Sequence, residues 1–275
     1  MPKWFKNTSD SGPPGGYRGG TRKGVDVTFG KPFKKNAEES DASSDTPIRD
    51  IRGGILLRTI RRTSDKVVIC GPSLLVDEIL KQSSSSGLSD LVDNKWKKQS
   101  CAFSEEGNSE SRSVRLYLEP HTPKDVLGPP TLYTSPRIGL DLGNTHLSAD
   151  RVKFVDRPYR FFLEPKLFKE KGRPQTFVGL VRQFKKDTDP PSVKLIAKIE
   201  RITGAPSKTI AKLMDWYTHG WDSASGDGGR AVGGYVGEKG VCASPEMLMK
   251  MMGALERHKI QQSVEVIASS SSTSP

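Results

Sequence analysis

The stretch ILLRTIRRTSDKVVICGPSLLVDEILK, Ile55 to Lys81, decides the fold class. Ile55-Leu56-Leu57-Arg58-Thr59-Ile60 and Lys66-Val67-Val68-Ile69-Cys70 are runs rich in β-branched and apolar residues, separated by the polar Arg61-Arg62-Thr63-Ser64-Asp65. Two such runs around a polar turn predict a β-hairpin. Gly71-Pro72 ends it, Ser73 is a candidate helix cap, and Leu75, Val76, Ile79 and Leu80 then fall at helical spacing up to Lys81. Two strands running directly into a helix point to an α+β domain.

Towards the C-terminus, Gln82-Ser83-Ser84-Ser85-Ser86-Gly87 reads as a linker and Leu88 to Trp96 as a second short helix. The middle third reads as a central β-rich region. Its strand candidates are Val114–Leu118, Ile138–Leu142, Val152–Val155, Tyr159–Leu163 and Thr176–Val181, punctuated by prolines. The last third turns helical. Ser192 and Ser207 are candidate caps for helices to Ile202 and through Tyr217, and Ser244-Pro245-Glu246 starts a third. Leu248, Met251, Met252 and Leu255 then recur at i, i+3, i+4, i+7. These apolar faces, with Ile210, Leu213, Met214 and Tyr217, suit either a core or self-association, and the methionines suit an adaptable contact or core filling. The expectation is one α+β domain over 48–262 and a disordered tail over 263–275.

Residues 1–47 read as a disordered, glycine-spaced basic arm. The chain carries a net charge of +11 over 275 residues, and its densest uniform surplus lies here. Lys3, Lys6, Arg18, Arg22, Lys23, Lys31, Lys34 and Lys35 face only Asp10 and Asp26 before residue 36. Trp4, Phe5, Tyr17, Phe29 and Phe33 are interleaved with them. Cations draw the chain to phosphate, and aromatics stack on bases or seat at lipid headgroups. The hairpin adds Arg58, Arg61, Arg62 and Lys66, where several cations meet one turn. The candidate polyanion-binding set is therefore Lys3, Trp4, Phe5, Lys6, Arg18, Arg22, Lys23, Lys31, Lys34, Lys35, Arg58, Arg61, Arg62 and Lys66. Lys194, Lys198, Arg201, Lys208 and Lys212 read as solvated helix faces.

The expected partners are nucleic acid or a ribonucleoprotein, an anionic membrane surface met peripherally, and further copies of the chain. No apolar run approaches the roughly 20 residues of a spanning helix. The N-terminus lacks a signal-peptide core, and Pro2 occupies the position myristoylation requires for glycine. Cys70, Cys101 and Cys242 are widely spaced, and the four histidines do not join them at metal-ligand spacing, so no metal is assigned.

Two motifs suggest nucleotide chemistry. Arg137-Ile138-Gly139-Leu140-Asp141-Leu142-Gly143-Asn144-Thr145 looks like the first phosphate loop of actin-like ATPases, with Asp141 as the metal-water ligand. No second phosphate loop or adenosine loop follows, so the reading is a strand ending in a tight turn. Gly226-Asp227-Gly228-Gly229-Arg230-Ala231 has the shape of a dinucleotide fingerprint but lacks a strand before it and a helix after it. No catalytic residue and no cofactor are assigned.

From Ile55 onward the segment order resembles that of rhabdovirus matrix proteins. The resemblance rests on Ile55 to Thr63, the helix Leu74-Leu75-Val76-Asp77-Glu78-Ile79-Leu80, Arg115-Leu116-Tyr117-Leu118-Glu119-Pro120, a Gly-Pro-Pro segment and Ile138-Gly139-Leu140. The family's PPxY signal is not met, since Pro13-Pro14-Gly15-Gly16-Tyr17 and Pro129-Pro130-Thr131-Leu132-Tyr133 each hold one residue too many. The basic matrix proteins of plant-infecting members, which act in the nucleus, match better in size and charge. The resemblance implies a non-enzymatic virion protein, found also in host cytoplasm or nucleus, that condenses a ribonucleoprotein at an anionic membrane. The alternatives are a viral accessory, movement or nucleocapsid-type protein without a membrane role, and an actin-like ATPase fragment around Asp141.

Overall fold

In the computed structural model the described residues are 23–29, 53–97, 130–143, 149–168, 173–184, 193–224, 232–238 and 240–271, with Val114 and Tyr117. They fall into two compact units, Met1–Asp125 and Val126–Pro275, both mixing helix with short antiparallel strands or hairpins. The fold is α+β, and the domain expected over 48–262 spans parts of both units.

In the first unit, β1 (Val25–Phe29) pairs antiparallel with β2 (Gly53–Leu57), Val25 opposite Leu57 and Phe29 opposite Gly53. This corrects the reading of 1–47 as wholly disordered. The glycine-rich, charged composition of the arm masks five residues, Val-Asp-Val-Thr-Phe, with β-branched or aromatic side chains at four positions. The rest of the arm lies outside the described residues. β3 (Thr59–Arg61) and β4 (Val68–Cys70) form the expected hairpin. The run from Ile55 to Ile60 is thus shared between two sheets, broken at Arg58.

Helix α1 (Pro72–Gln82) starts two residues earlier than a Ser73 cap would place it, with Gly71 at the N-cap and Pro72 pre-set for helical φ. Leu75 and Val76 are fully buried against Val25, and Leu57 and Ile60 pack around them. Leu88 to Trp96 is helical as expected, but widens into a π-helical turn over Asp90–Lys95, closed by the Trp96 amide on the Leu91 carbonyl at 2.8 Å. Leu91, Val92 and Trp96 form a small buried cluster of their own.

In the second unit β5 (Tyr133–Ser135) pairs antiparallel with β6 (Arg160–Phe162). Helices α2 (Ala149–Val155), α3 (Arg173–Phe184), α4 (Val193–Thr203), α5 (Ser207–Ser223) and α6 (Pro245–Ser271) supply the remainder. Three strand expectations fail. Val152–Val155 lies in α2, Thr176–Val181 in α3, and Ile138–Leu142 is a turn followed by irregular chain. In α3 every residue from Gln175 to Val181 is buried, and a short apolar run Phe177–Val181 inside it does not separate a buried helix from a buried strand. Val114–Leu118 lies outside the described residues apart from Val114 and Tyr117.

The α6 start is as read, since the Ser244 Oγ accepts the Met247 amide at 3.3 Å. Ser207 instead opens α5 and donates its hydroxyl to Glu200 at 2.6 Å. The tail expected from 263 is corrected by α6 running on to Ser271, because no glycine or proline follows Gly253 within it. Leu248, Met249, Met251, Met252 and Leu255 are buried together with Ile210, Leu213, Met214 and Tyr217 of α5. Both faces are core, so the methionines fill space inside the fold. Glycine sets the α5–α6 spacing. A Cβ at Gly220 would stand 2.0 Å from the Lys250 carbonyl oxygen, and one at Gly253 2.1 Å from that of Tyr217. A third close approach, at Gly179, brings α3 onto β5, where a Cβ would meet the Thr134 carbonyl oxygen at 2.1 Å.

Candidate functional site

The hairpin turn is built by its own side chains. The Arg62 amide donates to the Val67 carbonyl at 3.0 Å, and Asp65 Oδ1 accepts the Val67 amide at 3.1 Å. That amide and the neighbouring Arg62 guanidinium hold the exposed Asp65 carboxyl below its ordinary range. Lys66 sits in the left-handed region at φ 61, which is costly for a non-glycine residue, and its side chain is exposed at the end of the turn.

The four hairpin cations therefore differ. Arg62 is spent within the protein, bonding Asp65 at 2.8 Å and Glu78 of α1 at 3.0 Å, so it ties the turn to the helix. Arg61 and Lys66 are exposed, and Arg58 is half-buried. Lys23, the one arm cation among the described residues, pairs with Asp77 of α1. It precedes β1, whose first residue lies opposite Leu57, the neighbour of Arg58. Strand pairing thus joins the basic arm to the hairpin unit, a juxtaposition the sequence does not reveal. Lys3, Trp4, Phe5, Lys6, Arg18, Arg22, Lys31, Lys34 and Lys35 lie outside the described residues.

Asp141 has a structural explanation. Its buried carboxylate accepts the Gly143 amide at 3.0 Å and the Cys242 amide at 2.7 Å, linking two distant segments of the second unit. Burial, and the Asp141 carboxylate beside it, push the Cys242 thiol up to about 12, so at neutral pH it is a protonated donor. The 226–231 glycine motif lies outside the described residues. Among the described residues no group of three or more His, Cys, Asp and Glu side chains is placed to hold a metal ion.

Among the described residues, a polar network joins the turn after α2 with α3, α5 and α6. Arg182 donates to Glu256 at 2.8 Å and to the Asp156 carbonyl at 2.8 Å, Lys259 pairs with Asp156, and Tyr217 donates its hydroxyl to Glu256. Burial alone would lower the Arg182 pKa, but Glu256 and Asp156 outweigh it and hold it raised. Burial first, and then the Glu256 charge, keep the Tyr217 phenol neutral well above its ordinary range. The network borders an open cleft of about 430 Å³ that also takes in Arg157 and Pro158. Its charges answer one another, which makes it a clamp between helices.

The sequence reading missed a second exposed feature, on the β5–β6 strand pair. Arg160 of β6 points inward, donating to Ser135 Oγ at 3.0 Å and Thr176 Oγ1 at 2.8 Å, and lies over the Phe162 ring at 4.4 Å. Strand alternation then turns Tyr159, Phe161 and Leu163 outward, and all three are exposed. The available signal was Phe161-Phe162, apolar on both parities of a short strand. A two-stranded pair backed on one side by α3 has nowhere to bury both. Among the basic helix residues, Lys198 and Lys212 cover the rings of Phe184 and Trp216, at 3.6 and 4.9 Å, and are not simply solvated.

Comparison of the chain with family models, curated proteins and solved structures returns no match.

Proposed function

We propose that this chain is a non-enzymatic structural protein that gathers polyanion, condensing a ribonucleoprotein and meeting an anionic membrane as the matrix proteins it resembles do. On this reading it is a self-associating virion component that also occupies host cytoplasm or nucleus and approaches membranes peripherally. The observation that carries the proposal is β1. It anchors the basic arm on the sheet leading straight into the exposed Arg61 and Lys66, so two cationic groups far apart in sequence belong to one unit. Cations that act on one polyanion release counterions together, and this sets the salt dependence of binding.

The test is a salt titration of single-stranded RNA binding, comparing the full chain with a variant in which Lys3, Lys6, Arg18 and Arg22 are replaced by Gln. The variant spares β1 and the Lys23–Asp77 pair. The slope of log K against log salt is expected to fall by about 3, at roughly 0.7 per phosphate contact on a single strand. An unchanged slope overturns the arm as the contact. Flotation with anionic vesicles tests the second half, and a chain that binds RNA but never such vesicles has no membrane role.

A further inference from the structure

We propose that the outer face of the β5–β6 strand pair is a membrane-seating surface, which enters the headgroup and upper acyl region of an anionic bilayer. This rests on the membrane half of the function proposed above and assigns it to particular residues. Tyr159 is 52% exposed, Phe161 64% and Leu163 41%, on one side of β6 and its flanks. Thr134 lies opposite Phe161, so Leu132, 54% exposed, falls opposite Leu163 one position beyond the paired register and on the same face. Phe154 of α2, 44% exposed, extends the stripe, its ring 6.4 Å from that of Tyr159. Four large apolar side chains on the β5–β6 pair and its flanks, with Phe154 of α2 beside them, make a patch of the kind that marks an interaction surface.

The charge around the stripe selects its occupant. Lys153 and Arg157 are exposed at the end of α2 and Lys166 beyond β6. Asp156, which stands between the first two, is buried and given over to Arg182 and Lys259. Of the neighbouring acids, Glu164 alone shares the exposed surface among the described residues of 152–168. An apolar stripe rimmed by cations complements an anionic bilayer: leucine and phenylalanine enter the acyl boundary, tyrosine sits at the headgroups, and each cation meets lipid phosphate. Single-stranded RNA fits less well. Stacking needs free ring faces, whereas Leu132 and Leu163 have none and the Phe154 and Tyr159 rings lie side by side.

The test uses the full chain with vesicles of phosphatidylcholine alone and of phosphatidylcholine with about a third phosphatidylserine. The double variant Phe161→Ser, Leu163→Ser is expected to lose at least tenfold in partitioning onto the anionic vesicles, with its RNA salt slope unchanged. Lys153→Gln and Arg157→Gln are each expected to lose about fivefold on anionic vesicles alone. The charge variants leave every stripe residue in place, so they report even if the serine variant unfolds. If the wild-type chain does not bind anionic vesicles, the proposed membrane role falls and this surface with it. If the wild type binds and all these variants bind equally well, only this surface is overturned. A serine variant that loses RNA instead of vesicles makes the face a stacking platform. One that binds vesicles normally but drops in oligomeric mass makes it a contact between copies. Either result overturns the proposal.

Discussion

Gly253→Ala is expected to destabilise the second unit, although alanine is the better helix former. In an exposed helix interior the exchange gains about 1 kcal/mol. Here the new Cβ would stand 2.1 Å from the Tyr217 carbonyl oxygen and 2.9 Å from the Trp221 amide nitrogen, where ordinary contact begins at 3.4 Å. Both obstacles are backbone, so α5 and α6 must separate by about 1.3 Å, the difference between 3.4 and 2.1 Å. A gap of that size forfeits a quarter to a half or more of each dispersion contact it opens. It falls in a seam where Met249, Met252, Leu213 and Tyr217 are buried. Overpacking costs about 3 kcal/mol at the upper end of its usual range, which leaves a net loss of about 2 kcal/mol after the propensity gain. At 2–4 °C per kcal/mol for a unit of this size, Tm falls by about 4–8 °C. Circular dichroism melts of wild type, Gly253→Ala, Gly220→Ala and the double variant read this out. The double variant is expected to cost less than the sum, because helices already pushed apart accept the second methyl. A Gly253→Ala protein that melts above wild type would refute the close-packing argument.

Further outcomes follow from the polar interior. Arg182→Ala leaves Asp156 and Glu256 without their shared guanidinium and is expected to cost about 3–5 kcal/mol in urea unfolding; a loss below 1 kcal/mol would mean the clamp contributes little. Cys242, with its thiol pushed up to about 12 from the ordinary 9.0, is expected to react at pH 8 with iodoacetamide ~1000-fold more slowly than an unperturbed thiol; mass mapping of the alkylated residues checks this. Stability is expected to fall as pH rises from about 9 towards 12, since folded Cys242 and Tyr217 keep protons that the unfolded chain releases. Cys242→Ala should flatten part of that fall, and denaturant midpoints that stay level across the window would refute it.

Periodicity made part of the fold legible. Helices α1, α5 and α6 have one apolar face each, and the β3–β4 hairpin has a polar turn between apolar runs. The errors have the same root. Helix α3 is buried all round and lacks a period, and α2 is too short for one to show. Strand β1 is five residues long inside a stretch whose average composition is that of a linker. Only its pairing with β2, non-local in sequence, makes it a strand. The site was legible as charge and not as geometry. Arg62 reads like Arg61, but Glu78 and Asp65 take it out of the exposed set. The outward face of β6 was hidden because alternation says which residues share a side and leaves open which side the fold covers.

Under the proposed function, strand β1 also changes what kind of ligand the arm would be. A free tail presents its cations as one loosely tethered group. A segment pinned in its middle has two, Arg18 and Arg22 before the strand and Lys31 to Lys35 after it, with β1 between them in sequence. A polyanion held by the first group would meet the second at an effective concentration set by the short chain between them, in the millimolar range. Avidity then depends on the spacing between the two groups as well as on the number of charges.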